Sequence, residues 1–362
     1  MPPRMGGTAM SARESMRVVV VGATGNIGTS VVEALGADPA VSAIVAMARR
    51  EPAQLDPKAT WVGADVTSDE LVRHFRGADC VVHLAWIFQP THDAVATWRN
   101  NVMGSLRVFD AVAEAGVPAL VHASSVGAYS PGPRRAVDES WPTHGWPGAA
   151  YTREKAYLER SLDAYEREHP DIRVVRMRTA FSFKTQAASE QRRLFLGPFL
   201  PNRLARPDLV PRIPALPGLR FQAVHSSDLG EAYRLAVRSE ASGAFNVASE
   251  PVIDSEVLAE LFGAQTFRMP VWPVRTALAA AWRLHLVPAS PGLFDAFLRL
   301  PIMDVSRARS VLGWEPRRSS TEAVEEFVHG LRETAGAPTP PLQPRIPGGR
   351  VAEIRTGVGQ RQ

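Results

Sequence analysis

The chain has a single cysteine, Cys80, among 362 residues. One thiol cannot close a disulfide within the chain or supply a cysteine-based metal site. A cytoplasmic location is the default expectation. No run of eighteen apolar residues occurs, so no helical membrane span and no membrane partner are expected. Residues 1–16 carry Arg4 and Arg13 but no apolar centre, which is not the pattern of a secretory signal. Met10 and Met16 are alternative starts. The nine histidines show no ligand spacing, so no metal is expected. A dominant charge is also missing. The net charge is +4, and residues 335–362 supply +3 of it (Arg345, Arg350, Arg355 and Arg361 against Glu353). The rest is nearly neutral, and no basic face for nucleic acid is expected.

What is present is a regular alternation. Arg17–Val21, Ala43–Ala48, Trp61–Val62, Asp79–Ala85, Ala119–Ser124 and Arg173–Arg178 read as strands. Between them, helical patterns run over Asn26–Leu35, Val95–Ala115 and Ala150–His169, and Thr67 with Glu70 reads as a capping box opening a helix to about Phe75. Strands alternating with helices predict an α/β fold with a doubly wound, Rossmann-type parallel sheet. The dinucleotide-binding part is expected over 16–183, after a structureless leader at 1–15. A smaller C-terminal substrate lobe is expected over 184–334, with segments such as 221–250 returning to the sheet. Residues 335–362, rich in Pro and Gly, are expected to be a disordered tail.

The first strand runs into Gly22-Ala23-Thr24-Gly25-Asn26-Ile27-Gly28. Gly22 permits a tight turn, Gly25 lets backbone approach a pyrophosphate, and Gly28 lets the helix pack closely. The free N–H groups at the helix start then face the phosphates. The second strand ends at Arg49-Arg50 instead of an acid. An acid there would hold a ribose 2′-hydroxyl, whereas arginine suits a 2′-phosphate, so NADP is expected over NAD. Asp65, after the third strand, is placed to meet the adenine edge.

Tyr151 and Lys155 are one helical turn apart and share a face. An ammonium beside a phenol favours the phenolate, so a lowered Tyr151 pKa is expected. Ser125 ends the fifth strand, where its hydroxyl can hold a substrate oxygen beside the tyrosine. His83 reads as a core histidine. Arg192 and Arg193 are candidates for an anionic substrate group or for surface ion pairs, and Leu194–Leu200 for an apolar pocket wall or lobe core.

Several motifs in this order resemble the extended short-chain dehydrogenases/reductases, in the NAD-dependent epimerase/dehydratase family. They are the glycine turn, Val81-Val82-His83-Leu84-Ala85, Asn101-Val102-Met103-Gly104-Ser105, Ser124-Ser125-Val126-Gly127-Ala128-Tyr129, the Tyr151/Lys155 pair and Leu312-Gly313-Trp314-Glu315-Pro316. The resemblance covers about residues 16–332. It implies Tyr151 as general acid or base, Lys155 holding the nicotinamide ribose, and Ser125 positioning the reacting oxygen. It extends the cofactor contacts to Gly22, Thr24, Gly25, Asn26, Ile27, Gly28, Arg49, Asp65, Val66, Leu84, Ala85, Asn101 and Lys155, and implies a homodimer through two long helices. Asn101 is a candidate for a proton relay or for a structural role.

The departures from the pattern carry information too. Trp86 stands where a second small residue usually follows Ala85. Val126-Gly127 replaces the Asp-Glu pair of the sugar dehydratases, which disfavours water elimination. Phe181-Ser182-Phe183 replaces a pattern common in nucleotide-sugar enzymes. The leading expectation is an NADP-dependent oxidoreductase acting on a carbonyl or secondary alcohol of a small, hydrophobic molecule. A nucleotide-sugar epimerase with retained NAD and a non-catalytic NAD(P)-binding sensor are the alternatives.

Overall fold

The computed structural model describes residues 15–52, 57–133, 135–199, 211–345 and 348–360. Its centre is a seven-stranded sheet. In chain order, six strands are β1 (Met16–Val21), β2 (Val41–Ala48), β3 (Ala59–Gly63), β4 (Cys80–His83), β5 (Ala119–Ala123) and β6 (Arg173–Thr179). The seventh, Gly243–Val247, comes from the second half of the chain and pairs with β6. The spatial order is Gly243–Val247, β6, β5, β4, β1, β2, β3. All six pairings are parallel. The expected doubly wound sheet is therefore present, and Gly243–Val247 is its edge strand beside β6.

The Val18–Val21 run is continuous because β1 is buried on both faces, as central parallel strands are. Val18 and Val20 face one layer, with α1 (Asn26–Ala37) and the Ser226–Arg238 helix. Val19 and Val21 face the other, with α4 (Gly104–Glu114) and α5 (Ala150–Glu168). The first two helices touch almost backbone to backbone. A Cβ on Gly230 would stand 2.5 Å from the Ser30 carbonyl oxygen. Trp314 of the Leu-Gly-Trp segment is fully buried, and its indole N–H donates to the Asp228 carbonyl at 2.8 Å.

Two helix boundaries differ from expectation. The helix read from Val95 to Ala115 is α3 (Ala94–Trp98) and α4 joined by a π-helical turn, Arg99–Met103, that carries Asn101. The helix expected from Thr67 starts later, as α2 (Val72–Phe75). Thr67 does not cap it. Both its N–H and its hydroxyl donate to the Asp65 carboxylate, at 2.9 and 2.7 Å, which closes a turn instead.

The C-terminal segment corrects a larger expectation. Among its described residues, 335–345 and 348–360 are packed on the body and include a helix, Gly349–Thr356. Thr339 and Leu342 are fully buried. The Pro/Gly-rich composition reflects a strap held by side chains from elsewhere in the fold, with few apolar contacts of its own. Of the leader expected at 1–15, residues 1–14 lie outside the described residues, and the Ser15 hydroxyl donates to that of Ser42.

Candidate active site

The glycine turn leaves β1 at the carboxyl edge of the sheet. Gly22 has φ +90°, and a Cβ there would lie 2.6 Å from the Ala85 nitrogen. The chain leaving β4 therefore crosses directly over the turn, and the Leu84 N–H bonds to the Val21 carbonyl at 2.8 Å. A Cβ on Gly28 would stand 2.2 Å from the Gly22 carbonyl oxygen. Gly25 is different: its Cβ would meet only the Gly22 oxygen, at 3.7 Å. It precedes α1 with no side-chain cap on the helix. The first amides of α1 thus have no intrahelical acceptor and open where backbone can be approached. This end of the site fits the pyrophosphate of a dinucleotide.

Other expected contacts are distributed differently. Arg49 and Arg50 are exposed just past β2, and Leu84 and Ala85 line the turn. Asp65 spends one carboxylate oxygen on Thr67, and Val66 packs against Gly104. The Thr24 carbonyl accepts from the Thr339 hydroxyl at 2.8 Å, which brings the C-terminal strap onto the turn. The Asn26 side chain is not free for a ligand. Its amide donates to Ser182, and its oxygen accepts from the Ser226 hydroxyl at 2.8 Å. Only its backbone N–H remains for a phosphate.

Ser125 caps a short 3-10 turn, accepting from the Gly127 N–H at 3.0 Å. Tyr151 stands in the first turn of α5 beside it. A Cβ on Gly127 would lie 2.8 Å from the tyrosine ring, so the phenol occupies space that only glycine leaves open. Phe88 stacks on Tyr151 at 5.1 Å, and Trp86 meets it edge-on at 5.6 Å. This packing reverses the expected pKa direction. Burial pushes the phenol up to about 12, with the Ser125 hydroxyl pulling it down and Glu154 adding to the rise. Lys155 points elsewhere, donating to the Ala123 carbonyl at 2.7 Å, with its ammonium 3.5 Å above the Trp86 ring. Burial brings its pKa down to about 7, against the pull of Glu154 and Glu159.

The chain has three lysines, Lys58, Lys155 and Lys184, among 41 Lys and Arg residues. Two of them are buried at this site. Lys184 donates to the Asn26 carbonyl and to the Thr29 and Ser30 hydroxyls, and burial lowers its pKa to about 8. An arginine in either place would keep its charge at every working pH, whereas these amines titrate near neutrality.

The Asn101 side chain is bound to Ile87 and Glu154. Its oxygen accepts from the Ile87 N–H at 2.8 Å, and its amide donates to the Ile87 carbonyl at 2.8 Å and to Glu154 at 2.7 Å. The Thr97 hydroxyl holds the other Glu154 oxygen at 2.6 Å. Both polar atoms of the Asn101 side chain thereby have protein partners. The residue anchors the 84–90 loop that carries Trp86 and Phe88 to Tyr151. Glu154 was not singled out in the sequence. It lies inside the Tyr-x-x-x-Lys spacing, and a buried carboxylate there leaves no periodic trace. Asn101→Ala removes three hydrogen bonds, one to a buried carboxyl group, and leaves Glu154 under-satisfied. The expected cost is roughly 2–3 kcal/mol, read as a lower denaturant midpoint together with faster proteolysis of the 84–90 loop. An unchanged midpoint and an equally protected loop would rule out the anchoring role.

Arg192 and Arg193 are not presented to a substrate anion either. Arg192 is buried in a bidentate pair with Glu353 and also donates to the Gly197 carbonyl. Arg193 donates to the Pro341 and Gln343 carbonyls at 2.7 and 3.0 Å. Both hold the C-terminal strap across the site. Phe195, in the Arg192–Leu196 turn, meets Phe88 edge-on at 5.3 Å and extends the aromatic wall over Tyr151. His83 lies in the core, with Nε2 2.8 Å from the Ser105 hydroxyl and its pKa lowered to about 3 by burial.

Residues 18–248 match the model of the NAD dependent epimerase/dehydratase family. An uncharacterized protein of Mycobacterium tuberculosis (strain ATCC 25618 / H37Rv) is 23% identical over 329 residues, covering 86% of this chain and 83% of the relative. The L-arabinose 1-dehydrogenase (NAD(P)(+)) of Haloferax volcanii is 38% identical over 112 residues, 30% of this chain and 41% of that protein. Among solved structures, the UDP-glucose 4-epimerase of Thermus thermophilus in complex with NAD superposes with a TM-score of 0.65. It is 22% identical over 88% of this chain and 99% of that one. The dTDP-glucose 4,6-dehydratase of Streptomyces venezuelae, with NAD bound, gives a TM-score of 0.64 at 18% identity over 88% and 97%. At these identities the structural likeness establishes the fold.

Proposed function

Because the chain belongs to the NAD-dependent epimerase/dehydratase family, we propose that it is an NADP-dependent oxidoreductase acting on the carbonyl or secondary alcohol of a small apolar molecule. The carrying observation is the wall of Trp86, Phe88 and Phe195 around Tyr151. A sugar ring needs hydrogen-bond partners at each hydroxyl, and three aromatic faces supply none. When bound, the nicotinamide supplies or accepts the hydride. The chain's own residues do the rest. The α1 amides hold the pyrophosphate, Arg49 the ribose 2′-phosphate, and Lys155 the nicotinamide ribose after leaving the Ala123 carbonyl. Ser125 donates to the substrate oxygen. Tyr151 passes its phenolic proton to that oxygen during reduction and takes it back during oxidation. With a pKa pushed up to about 12, Tyr151 is held as the acid, which suits carbonyl reduction near neutral pH. Dehydration is disfavoured, because Val126-Gly127 supplies no acid–base pair for water elimination.

The strap lying on Thr24 supports a second reading, an epimerase that retains its cofactor between turnovers. One experiment separates the two. A panel of apolar ketones and nucleotide sugars is incubated with NADPH or NADH, and cofactor oxidation is followed. Stoichiometric NADPH oxidation with a ketone is expected. Arg49→Ala should weaken NADPH by roughly 10–100-fold, the worth of a hydrogen bond to a charged group, and leave NADH unchanged. Sugar isomerisation without net oxidation would establish the epimerase, and tighter NADH binding would overturn the role of Arg49.

A further inference from the structure

The helix Val271–Arg283 has no buried residue along its thirteen positions. Its exposed stripe is Trp272, Thr276, Ala280 and Arg283, spaced as one helical face. Trp272 is 69% exposed, as is Leu284 immediately after the helix. On the other side Trp282 is stacked on His92 at 4.1 Å, which fixes which face looks outward. Two other segments meet the end of this helix. A Cβ on Gly197 would lie 3.0 Å from Pro288 and 3.5 Å from the Leu286 carbonyl oxygen. The Arg350 guanidinium donates to the Pro198 carbonyl at 2.9 Å. Exposed Leu196 and Phe199 therefore come beside exposed Leu284 and Leu286, with Val351 and Ile354 of the Gly349–Thr356 helix next to them. Most of the exposed large apolar side chains among the described residues are gathered here. Isolated ones are ordinary, but a gathered set marks a contact surface.

The segment bearing the helix carries charge of one sign, while exposed Asp93, next to the His92 stacked on Trp282, lies at the margin of the patch. Residues 261–294 contain no Asp or Glu and include Arg268, Arg275 and Arg283. Arg275 is paired with Asp295, while Arg268 and Arg283 are exposed. On the C-terminal helix, Glu353 is turned inward onto Arg192, and Arg355 faces solvent. A protein partner of ordinary surface has no reason to be purely anionic and apolar at once. A bilayer containing acidic lipids has both properties, with a negative headgroup plane above acyl chains. We infer that this face docks on an anionic membrane surface, with Trp272, Phe199 and Leu284 inserted at the headgroup level and the arginines over the phosphates. Absence of a spanning helix does not bear on such an attachment. Leu196 adjoins Phe195, which touches the Phe88 ring stacked on Tyr151. The docked face therefore adjoins the apolar wall of the site through Leu196 and Phe195, and an apolar substrate would reach that wall from the bilayer. That last step rests on the proposed oxidoreductase function, whereas the docking does not.

Sedimentation of the full chain with lipid vesicles tests the docking without reference to activity. Binding to vesicles of phosphatidylcholine with phosphatidylglycerol is expected, with much weaker binding to phosphatidylcholine alone and release at high salt. Leu284→Asp combined with Val351→Asp should weaken binding by on the order of 10-fold or more. Both sites are exposed, and an unchanged melting transition checks the fold. Failure to bind acidic vesicles, equal binding to both vesicle types, or undiminished binding by the double variant would overturn the proposal. So would a dimer in sedimentation velocity that these substitutions dissociate, since the face would then join two copies of the chain.

Discussion

Tyr151→Phe is expected to lower turnover by roughly 10²–10⁴-fold, the usual worth of a positioned acid or base, while dinucleotide affinity changes little. The substitution removes one oxygen. The ring contacts to Phe88 and Trp86 and the fit against Gly127 remain, so neither the wall nor the 84–90 loop has cause to move. On the proposed function, the proton to be transferred sits on the atom removed, whereas the pyrophosphate of the cofactor is held by the glycine turn and not by the phenol. Cofactor fluorescence titration and single-turnover oxidation on the same sample separate the two quantities. A variant turning over within a few fold of the parent would remove Tyr151 from the chemistry. Lost cofactor binding would instead mean that the phenol supports the cleft. The high phenol pKa adds a signature. The pH profile should show no limb from Tyr151 near neutrality, because the group is protonated throughout that range. A limb near pH 7 is expected to belong to Lys155, whose charge is lost as pH rises through its own depressed value.

The parts of this site that were legible in the sequence are those written in short spacings. Gly22–Gly28 lies on the first strand of an alternating unit, and each glycine answers a local steric need. Tyr151 and Lys155 are four residues apart on one helix. What stayed hidden is carried by pairs distant in the chain. Arg192 meets Glu353 across 161 positions, and Thr339 meets Thr24 across 315. Composition alone therefore made residues 335–362 look structureless. The segment is held in large part by polar contacts, from Arg192 and Arg193 and from Thr339 to Thr24, with Leu342 buried beneath it. The expected phenol pKa failed for a related reason. A Tyr-x-x-x-Lys spacing reports that two groups share a helix face, but not that Trp86 intercepts the ammonium. Trp86 was noticed as a departure from the family pattern, and its consequence needed the fold.

Glu159→Leu is expected to be the most destabilising single change near the site, at roughly 3–5 kcal/mol, because it leaves the buried Arg178 guanidinium without a counterion. Glu159 is nearly inaccessible and accepts from Arg178 twice, at 3.0 and 2.8 Å. It also accepts from Arg176 at 3.2 Å and from the Ser124 hydroxyl. Arg176 keeps Asp163 and Glu166 in its absence, whereas Arg178 keeps only the Tyr129 hydroxyl and the Glu139 carbonyl. The network has a bearing on chemistry, since Ser124 precedes Ser125 and Tyr129 closes the turn that Ser125 caps. Burial raises the Glu159 pKa, but its arginine and Ser124 partners outweigh that and hold it below the ordinary glutamate value. Stability from this group is thus fully present above the unfolded-state pKa and is lost as pH falls through the lower folded value. The variant should show a smaller denaturant midpoint at neutral pH and a shallower acid limb than the parent. Replacing both partners, Glu159→Leu with Arg178→Met, should recover much of the loss, because apolar groups of similar volume leave no buried charge. A double variant as unstable as the sum of the single ones would mean that the two side chains act independently. The turn carrying Ser125 would then be held by packing of Val126 and Tyr129 in the core instead of by the buried ions.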